Sequence, residues 1–349
     1  STNDSSSQTK IAEQLDTTLP EGEDALTAQV NIEKLELDFD SIGITDVGFS
    51  TGMSEFFRTD NGYGIFILPS GPCEIIFAEC SEEFQFKSSN QLTIPAPQDD
   101  YYYTGGTYVY SDNKLYSFVT MEWHNGMKPY AYSDNQENFD WDAYYADTDT
   151  RYMLCTHSMD GTLIDAVVMN GLRDSEYYNE YNDFISYDQF YIDNGEAYLT
   201  LDNGSILHLN KEDGSISEIY SVDENIAQYG VCQLQLYKDR DGKTLLYSSI
   251  PVNDTLDSDY VVTVNEFDLQ TGELGENLFN PQSEAFDFGY NHMLFLEGCG
   301  DIRFAILNSD NITAVKYDGS EEVILDWTKS NLEVSSVQLL DEGTMLYSD

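Results

Sequence analysis

Four segments of this chain repeat one short form, and that form limits the fold more than any other feature. MDGTLIDAV (159–167), DGSISEIY (213–220), FDLQTGELG (267–275) and YDGSEEVIL (317–325) each run through an acidic turn, close it on a glycine and return as a second strand. Asp and Gly suit such positions because tight hairpin turns need residues that tolerate positive φ. Partner hairpins lie between them, at DNGEAYLTL (193–201), DGKTLLYS (241–248) and LDEGTMLYS (340–348). The turn glycines Gly161, Gly214, Gly272 and Gly319 are separated by 53, 58 and 47 residues. A period of that size, carrying four short strands in each repeat, is that of β-propeller blades.

The rest of the chain agrees with this period. From Val30 onward apolar and polar residues alternate in short runs bounded by turn signals, and no apolar stripe at helical spacing persists. One blade reads directly. CQLQLYKD (232–239) turns at Asp241-Gly242 into TLLYSSI (244–250), and VVTVNEFD (261–268) turns at Thr271-Gly272 into ELGENLF (273–279). The sequence therefore predicts an all-β protein, a β-propeller of six four-stranded blades, or seven if 44–90 or 101–170 divides differently. The blades fall near 44–90, 101–170, 185–222, 228–282 and 285–328. A partial blade at 333–349 is completed by strands from 30–43, which removes exposed sheet edges. Residues 29–349 read as a single propeller domain. Two β-sandwiches are the competing all-β arrangement, and the regular hairpin period speaks against them.

Residues 1–28 read differently. They open with STNDSSSQTK and include LPEGED (19–24), a small-polar and acidic composition that predicts a flexible tether. Such a stretch follows the lipidated cysteine of mature bacterial lipoproteins. The expected location is thus extracellular, as a cell-surface lipoprotein or a secreted protein, with any membrane contact made through a lipid anchor outside this chain. No apolar run reaches the ~18 residues a membrane-spanning helix needs.

Charge excludes one large class of partner. With 64 acidic residues against 15 Lys and Arg, the formal net charge is −49. A field of that sign repels phosphate backbones and anionic membrane surfaces, so no nucleic-acid partner is expected. Cations and neutral, hydroxyl-rich ligands stay compatible with it. The five cysteines, Cys73, Cys80, Cys155, Cys232 and Cys299, form no zinc-ribbon or CxxC pattern. Cys73 and Cys80 are close enough for a hairpin-spanning bridge. Several cysteines sit inside apolar strand runs such as VCQLQLY (231–237), where a buried thiol acts as a small hydrophobe. That second reading is preferred.

The string VILDWTKSNLEVSSVQLLDEGTMLYSD (323–349) carries a resemblance. An apolar run capped by Asp326-Trp327, a polar turn from Thr328 to Asn331 and a hairpin with Glu342-Gly343 are similar to the propeller-like region that precedes the binding domain in extracellular solute-binding lipoproteins of Gram-positive gut anaerobes. EFDLQTGEL (266–274) is common to propellers in general. The resemblance implies a lipid-anchored surface protein associated with nutrient import, usually of sugars. That family's two-lobed solute-binding module is not among these residues, so solute capture is not carried over to them. An excised domain or a free-standing relative is expected.

No catalytic motif stands out: there is no GxSxG elbow, HExxH, phosphate loop or dinucleotide fingerprint. The histidines, His124, His157, His208 and His292, are spread along the chain and read as structural. Pairs of carboxylates are guaranteed by abundance and so discriminate nothing. SMDGTL (158–163) only touches the sialidase Asp-box pattern and reads better as a hairpin turn. No cofactor is expected. Calcium is the ion the acidic clusters would suit, at Asp140, Asp142, Asp147 and Asp149 or at Asp239-Arg240-Asp241, although neither has EF-hand spacing. Solvated acidic loops are the preferred account.

The most informative segment is HNGMKPYAYSDNQENFDWDAYYADTDT (124–150), too long for a blade turn and rich in rings. A second, LRDSEYYNEYND, spans 172–183. Long loops in compact domains are usually functional or disordered. Aromatics mixed with Asp and Asn suit neutral sugars, whose C–H faces stack on rings while hydroxyls take polar partners. The candidate ligand-binding residues are Trp141, Tyr130, Tyr132, Tyr144, Tyr145, Tyr177 and Tyr178, with Trp141 foremost; Trp123 and Trp327 read as packing residues. The leading function is a non-catalytic, surface-anchored binding or scaffold propeller, an accessory module linked to carbohydrate uptake, whose partner is a neutral carbohydrate or a protein. The alternatives are a carbohydrate-active enzyme (glycoside hydrolase or lyase) with acidic residues at the propeller funnel, and a protein–protein interaction platform.

Overall fold

The computed structural model describes residues 9–12, 32–44, 52–54, 56–68, 75–130, 133–178, 185–227, 230–251, 260–279, 292–294, 301–307, 311–326, 336–341 and 344–348. The chain has an all-β, β-propeller fold with four-stranded blades, and it divides into two compact units, 38–222 and 1–37 with 223–349. The strands β1 (Thr9–Ala12) and β2 (Ile32–Leu35) come first in sequence, and their further partners come last.

Unit 38–222 holds three antiparallel sheets. The first comprises β3 (Gly52–Met53), β4 (Phe57–Thr59), β5 (Gly62–Leu68), β6 (Ile76–Cys80) and β7 (Phe86–Gln91). The second comprises β8 (Tyr102–Ser111), β9 (Lys114–His124), β10 (Thr148–His157) and β11 (Leu163–Val168). The third comprises β12 (Tyr187–Asp193), β13 (Glu196–Leu201), β14 (Ser205–Leu209) and β15 (Ile216–Ser221). The second and third are four-stranded meanders, each strand paired with its sequence neighbour.

The remaining unit holds β16 (Gln233–Lys238), β17 (Thr244–Pro251), β18 (Tyr260–Phe267) and β19 (Leu274–Phe279) in one meander. The next is β20 (His292–Leu294), β21 (Ile302–Leu307), β22 (Asn311–Lys316) and β23 (Glu321–Asp326). Its last sheet joins β24 (Ser336–Asp341) and β25 (Thr344–Ser348) to the N-terminal strands in the order β2-β1-β25-β24. Ile11 pairs with Leu346 on one side and Glu33 on the other. So Thr9–Ala12, within the stretch read as a tether, is a strand, and the N-terminal contribution to the last sheet has two strands.

The expected count of six or seven four-stranded blades is corrected to five; the one other sheet described above departs from that pattern. The sheet of 52–91 has five strands, because β3 and β4 both pair with β5, at Gly52↔Leu68 and Phe57↔Gly64. Between them Ser54 caps the gap: its N–H donates to the Phe66 carbonyl, and its Oγ accepts from the Phe66 N–H at 2.9 Å.

Burial follows strand position. The second strand of a sheet is enclosed on both faces, as in GYGIFIL of β5 and KLYSFVTMEWH of β9. Along β9, Leu115 and Val119 pack on one side with Phe66, Phe77 and Met153, while Tyr116 and Phe118 pack on the other with Phe190, Leu199 and Leu207. In the other unit Leu245, Tyr247 and Val264 meet Phe279, Phe304 and Ile306. Burying one such side chain contributes roughly 1.5–3 kcal/mol. Last strands are wet and carry carboxylates such as Asp165 in β11 and Glu276 in β19. Charge on an exposed strand discourages pairing with another chain.

The turns are written in sequence. Asp112-Asn113 and Asn194-Gly195 hold φ of 50°, 57°, 50° and 77°, the pattern of two-residue hairpins matched to strand twist. Gly161, Gly214, Gly242, Gly272 and Gly319 all sit at φ between 71° and 81°.

Candidate ligand-binding surface

In the third sheet, β13 passes to β14 through residues 202–204; in the second, β9 passes to β10 through 125–147. The base of this insertion is regular. His124 pairs with Thr148 in register, the Asn125 N–H donates to the Asp147 carbonyl at 2.8 Å, and Asn125 Nδ2 donates to the Ala143 carbonyl at 3.1 Å. Asn125 and Gly126, at φ 48° and 68°, turn the chain away from the ladder. A 3-10 turn at Gln136–Asn138 and a short helix, α1 (Trp141–Tyr144), follow. Asp140 caps α1: its Oδ1 accepts from the Ala143 N–H at 3.0 Å, the usual task of Asp before a helix.

This framework gathers rings. Trp141 lies near-parallel to Tyr130 (5.3 Å, 24°) and to Tyr145 (6.1 Å, 15°), and Phe139 meets Trp141 at a steep angle (4.6 Å, 64°). Tyr144 lies beneath, 6% exposed, against Phe139, Trp141 and Tyr145. Below it His124 stacks on Tyr144 at 4.0 Å and 14°. His124 Nε2 is 2.8 Å from Glu122, while Nδ1 is buried without a hydrogen-bond partner. Burial pushes the Tyr144 hydroxyl up to about 12, reinforced by the charges of Glu122 and Tyr145. Tyr130, Trp141 and Tyr145 remain 42%, 48% and 61% exposed, so a supported floor carries three rings open to solvent.

The structure thus brings together four of the predicted residues, Trp141, Tyr130, Tyr144 and Tyr145. Tyr132 lies outside the described residues. Tyr177 and Tyr178 serve elsewhere. The Tyr177 hydroxyl donates to Glu218, which also accepts from Ser205 Oγ at 3.1 Å, and burial together with that carboxylate pushes Tyr177 up to about 12. Tyr178, buried, lies under the Arg173 guanidinium at 4.1 Å. Sequence reading set His124 aside as structural and gave Phe139 no role; the stack of His124 on Tyr144 was not legible from spacing.

The four aspartates proposed for calcium are not gathered. Asp140 caps α1, Asp142 lies exposed in its first turn, and Asp147 takes the base hydrogen bond through its backbone. Asp149 accepts from the Tyr101 hydroxyl, from Arg151 Nε at 2.7 Å and from Arg173 Nε at 3.3 Å. Burial alone would raise its pKa; the Tyr101 hydrogen bond and the two arginines outweigh that and hold the carboxyl below its usual range. Arg173 belongs to a second short helix, α2 (Asn170–Arg173), so this ion group ties the 170–178 segment to β10. At Asp239-Arg240-Asp241 the carboxylate is likewise occupied. Asp239 accepts from the N–H groups of Asp241 and Lys243 at 3.0 and 2.8 Å and from Arg303 Nε at 3.1 Å. Among the described residues, no group of three or more His, Cys, Asp or Glu side chains is placed to hold a metal.

An open cleft of about 570 Å³ lies where β11 meets the β14–β15 turn, lined by Asp165, Val167, Asn170, Lys211 and Asp213 among others. Its one cation is committed, with Lys211 Nζ 3.2 Å from Glu196 and donating to the Gly195 carbonyl at 2.8 Å. Trp123 packs partly buried against the core cluster that contains Met121 and Tyr101, and Cys80 is a buried thiol; Cys73 and Trp327 lie outside the described residues.

Fold and surface together define the class: an all-β propeller protein that carries an aromatic insertion at 125–147. No family model matches the chain, and no curated protein matches it. Among solved structures it is similar to the GH43 BlXynB protein from Bacillus licheniformis, with 13% identity and a TM-score of 0.41, over 78% of this chain and 55% of that one. A mutant of the same protein gives 13% identity and 0.39, over 86% and 57%. The chain therefore spans about half the length of these structures. The computationally designed Ika8 protein gives 12% identity and 0.33, over 87% and 98%. Nothing about activity follows from likeness at this level.

Proposed function

We propose that this chain is a non-catalytic binding propeller displayed at the cell surface, with the 125–147 insertion as its ligand-binding face and a carbohydrate as its ligand. One observation carries the reading: Trp141 stacks near-parallel with Tyr130 and with Tyr145, all three substantially exposed, beside the buried pair Tyr144 and His124. Exposed rings held rigid by a packed floor lose little conformational freedom on binding, and they offer faces to sugar C–H groups. The acidic composition and the small-polar N-terminal stretch support surface display, and an accessory role in carbohydrate uptake fits both.

The test is a glycan array probed with the intact protein and with Trp141→Ala. Binding that the substitution reduces at least tenfold supports the reading. Absence of any glycan signal, or product release from a polysaccharide panel, overturns it.

A further inference from the structure

The insertion carries a second property besides its rings. Between residues 125 and 147 it has five carboxylates, Asp134, Glu137, Asp140, Asp142 and Asp147, all exposed, against a single cation, Lys128. Lys128 is itself 3.7 Å from Asp134. Asp140 and Asp142 flank Trp141 directly, and Glu122 acts electrostatically on Tyr144 in the floor. Exposed aromatic faces attract cations through their quadrupole, and nearby carboxylates add to the same potential. A uronic acid would meet repulsion on this surface, and a neutral sugar would use the rings but not the charge.

We propose, resting on the carbohydrate reading above, that the ligand is a cationic glycan, one bearing free amino groups, and that the surface discriminates by the sign of the sugar's charge. The rings supply contact area for the sugar faces; Glu137, Asp140 and Asp142 supply the preference for an ammonium group.

The experiment titrates the intact protein with a glucosamine hexasaccharide, its fully N-acetylated counterpart, a hexagalacturonate and hexalysine, at low and high salt. The glucosamine oligomer is expected to bind about tenfold more tightly than the acetylated one at 0.01 M salt, with the preference shrinking to about twofold at 1 M, because the screening length falls from roughly 30 to 3 Å. Trp141→Ala should weaken both glycans. The double variant Glu137→Gln/Asp142→Asn should weaken the glucosamine oligomer alone, and Glu273→Gln/Glu276→Gln, which removes the same charge from the other unit, should change neither. Equal or tighter binding of the acetylated oligomer overturns the charge preference while leaving a carbohydrate site. Hexalysine binding as tightly as the glucosamine oligomer overturns the glycan assignment in favour of a basic peptide or plain charge attraction. Failure of every glycan to bind overturns the functional reading itself.

Discussion

Asp213-Gly214-Ser215 and Asp318-Gly319-Ser320 are the same three residues closing the same kind of hairpin, one in each unit. In both, the Asp Oδ1 accepts from the Ser N–H at 2.9 Å and from the Ser Oγ at 2.6 Å. The glycines take φ of 72° and 81°. The surroundings differ. A Cβ at Gly214 would lie 2.1 Å from the Val168 carbonyl oxygen, and the Gly214 carbonyl accepts from the Gly171 N–H at 2.9 Å. At Gly319 nothing comes within 4 Å of the same added atom. Local sequence writes the turn, and the neighbouring sheet decides how much depends on it. Gly161 repeats the tight case, its added Cβ falling 2.6 Å from the Gln91 carbonyl oxygen. In this unit, then, a turn glycine marks the place where one sheet rests on the last strand of the sheet before it.

The largest expected effect comes from Gly214→Ala, which combines left-handed strain with collision against backbone. A loss of about 3–5 kcal/mol is expected, read as a fall in the urea midpoint. Gly161→Ala has slightly more room and should cost about 2–4 kcal/mol by the same measurement. Gly319→Ala meets only the strain of its φ, so about 1 kcal/mol is expected. If Gly319→Ala proved as costly as Gly214→Ala, the distinction between a written turn and a seated one would fail. The smallest effect is common to both turns. The hydrogen bonds from Ser215 and Ser320 hold Asp213 and Asp318 below the ordinary carboxylate range. A folded-state pKa below the unfolded value of about 3.9 gives stability that is present above that pH and lost as pH falls through the folded value. Unfolding followed from about pH 5 down to about pH 2 should therefore show Asp213→Asn and Asp318→Asn each removing a similar small share of the acid sensitivity. Unequal shares would mean that the neighbouring sheet reaches the carboxylate as well as the glycine.

Much of the fold was legible because its signals are local. The strands read at 244–250 and 261–268 stand as β17 at 244–251 and β18 at 260–267, since Asp-Gly and Thr-Gly turns fix where a hairpin reverses. The blade count was not, because whether β3 and β4 act as one strand or two depends on Ser54 and its contact with Phe66, which leaves no periodic trace. The candidate surface was half legible. Ring density between 130 and 145 pointed to the insertion, while the contacts of Tyr177 with Glu218 and of Tyr178 with Arg173 are not visible in ring density. For Asp149 a usable sign was present: Arg151, two positions on in the same strand, projects from the same face and neutralises it.

The buried thiols carry a consequence for watching this protein unfold. Cys80 lies in β6, Cys155 in β10 and Cys232 directly before β16, so each belongs to or adjoins a different sheet. Burial pushes the Cys80 and Cys155 thiols up to about 12, so at neutral pH they are neither ionised nor within reach of a reagent. Alkylation of each must wait until its own sheet opens. Three labelling rates from one sample would time the breathing of three blades separately, and the order in which they react would rank those blades from loosest to most tightly kept.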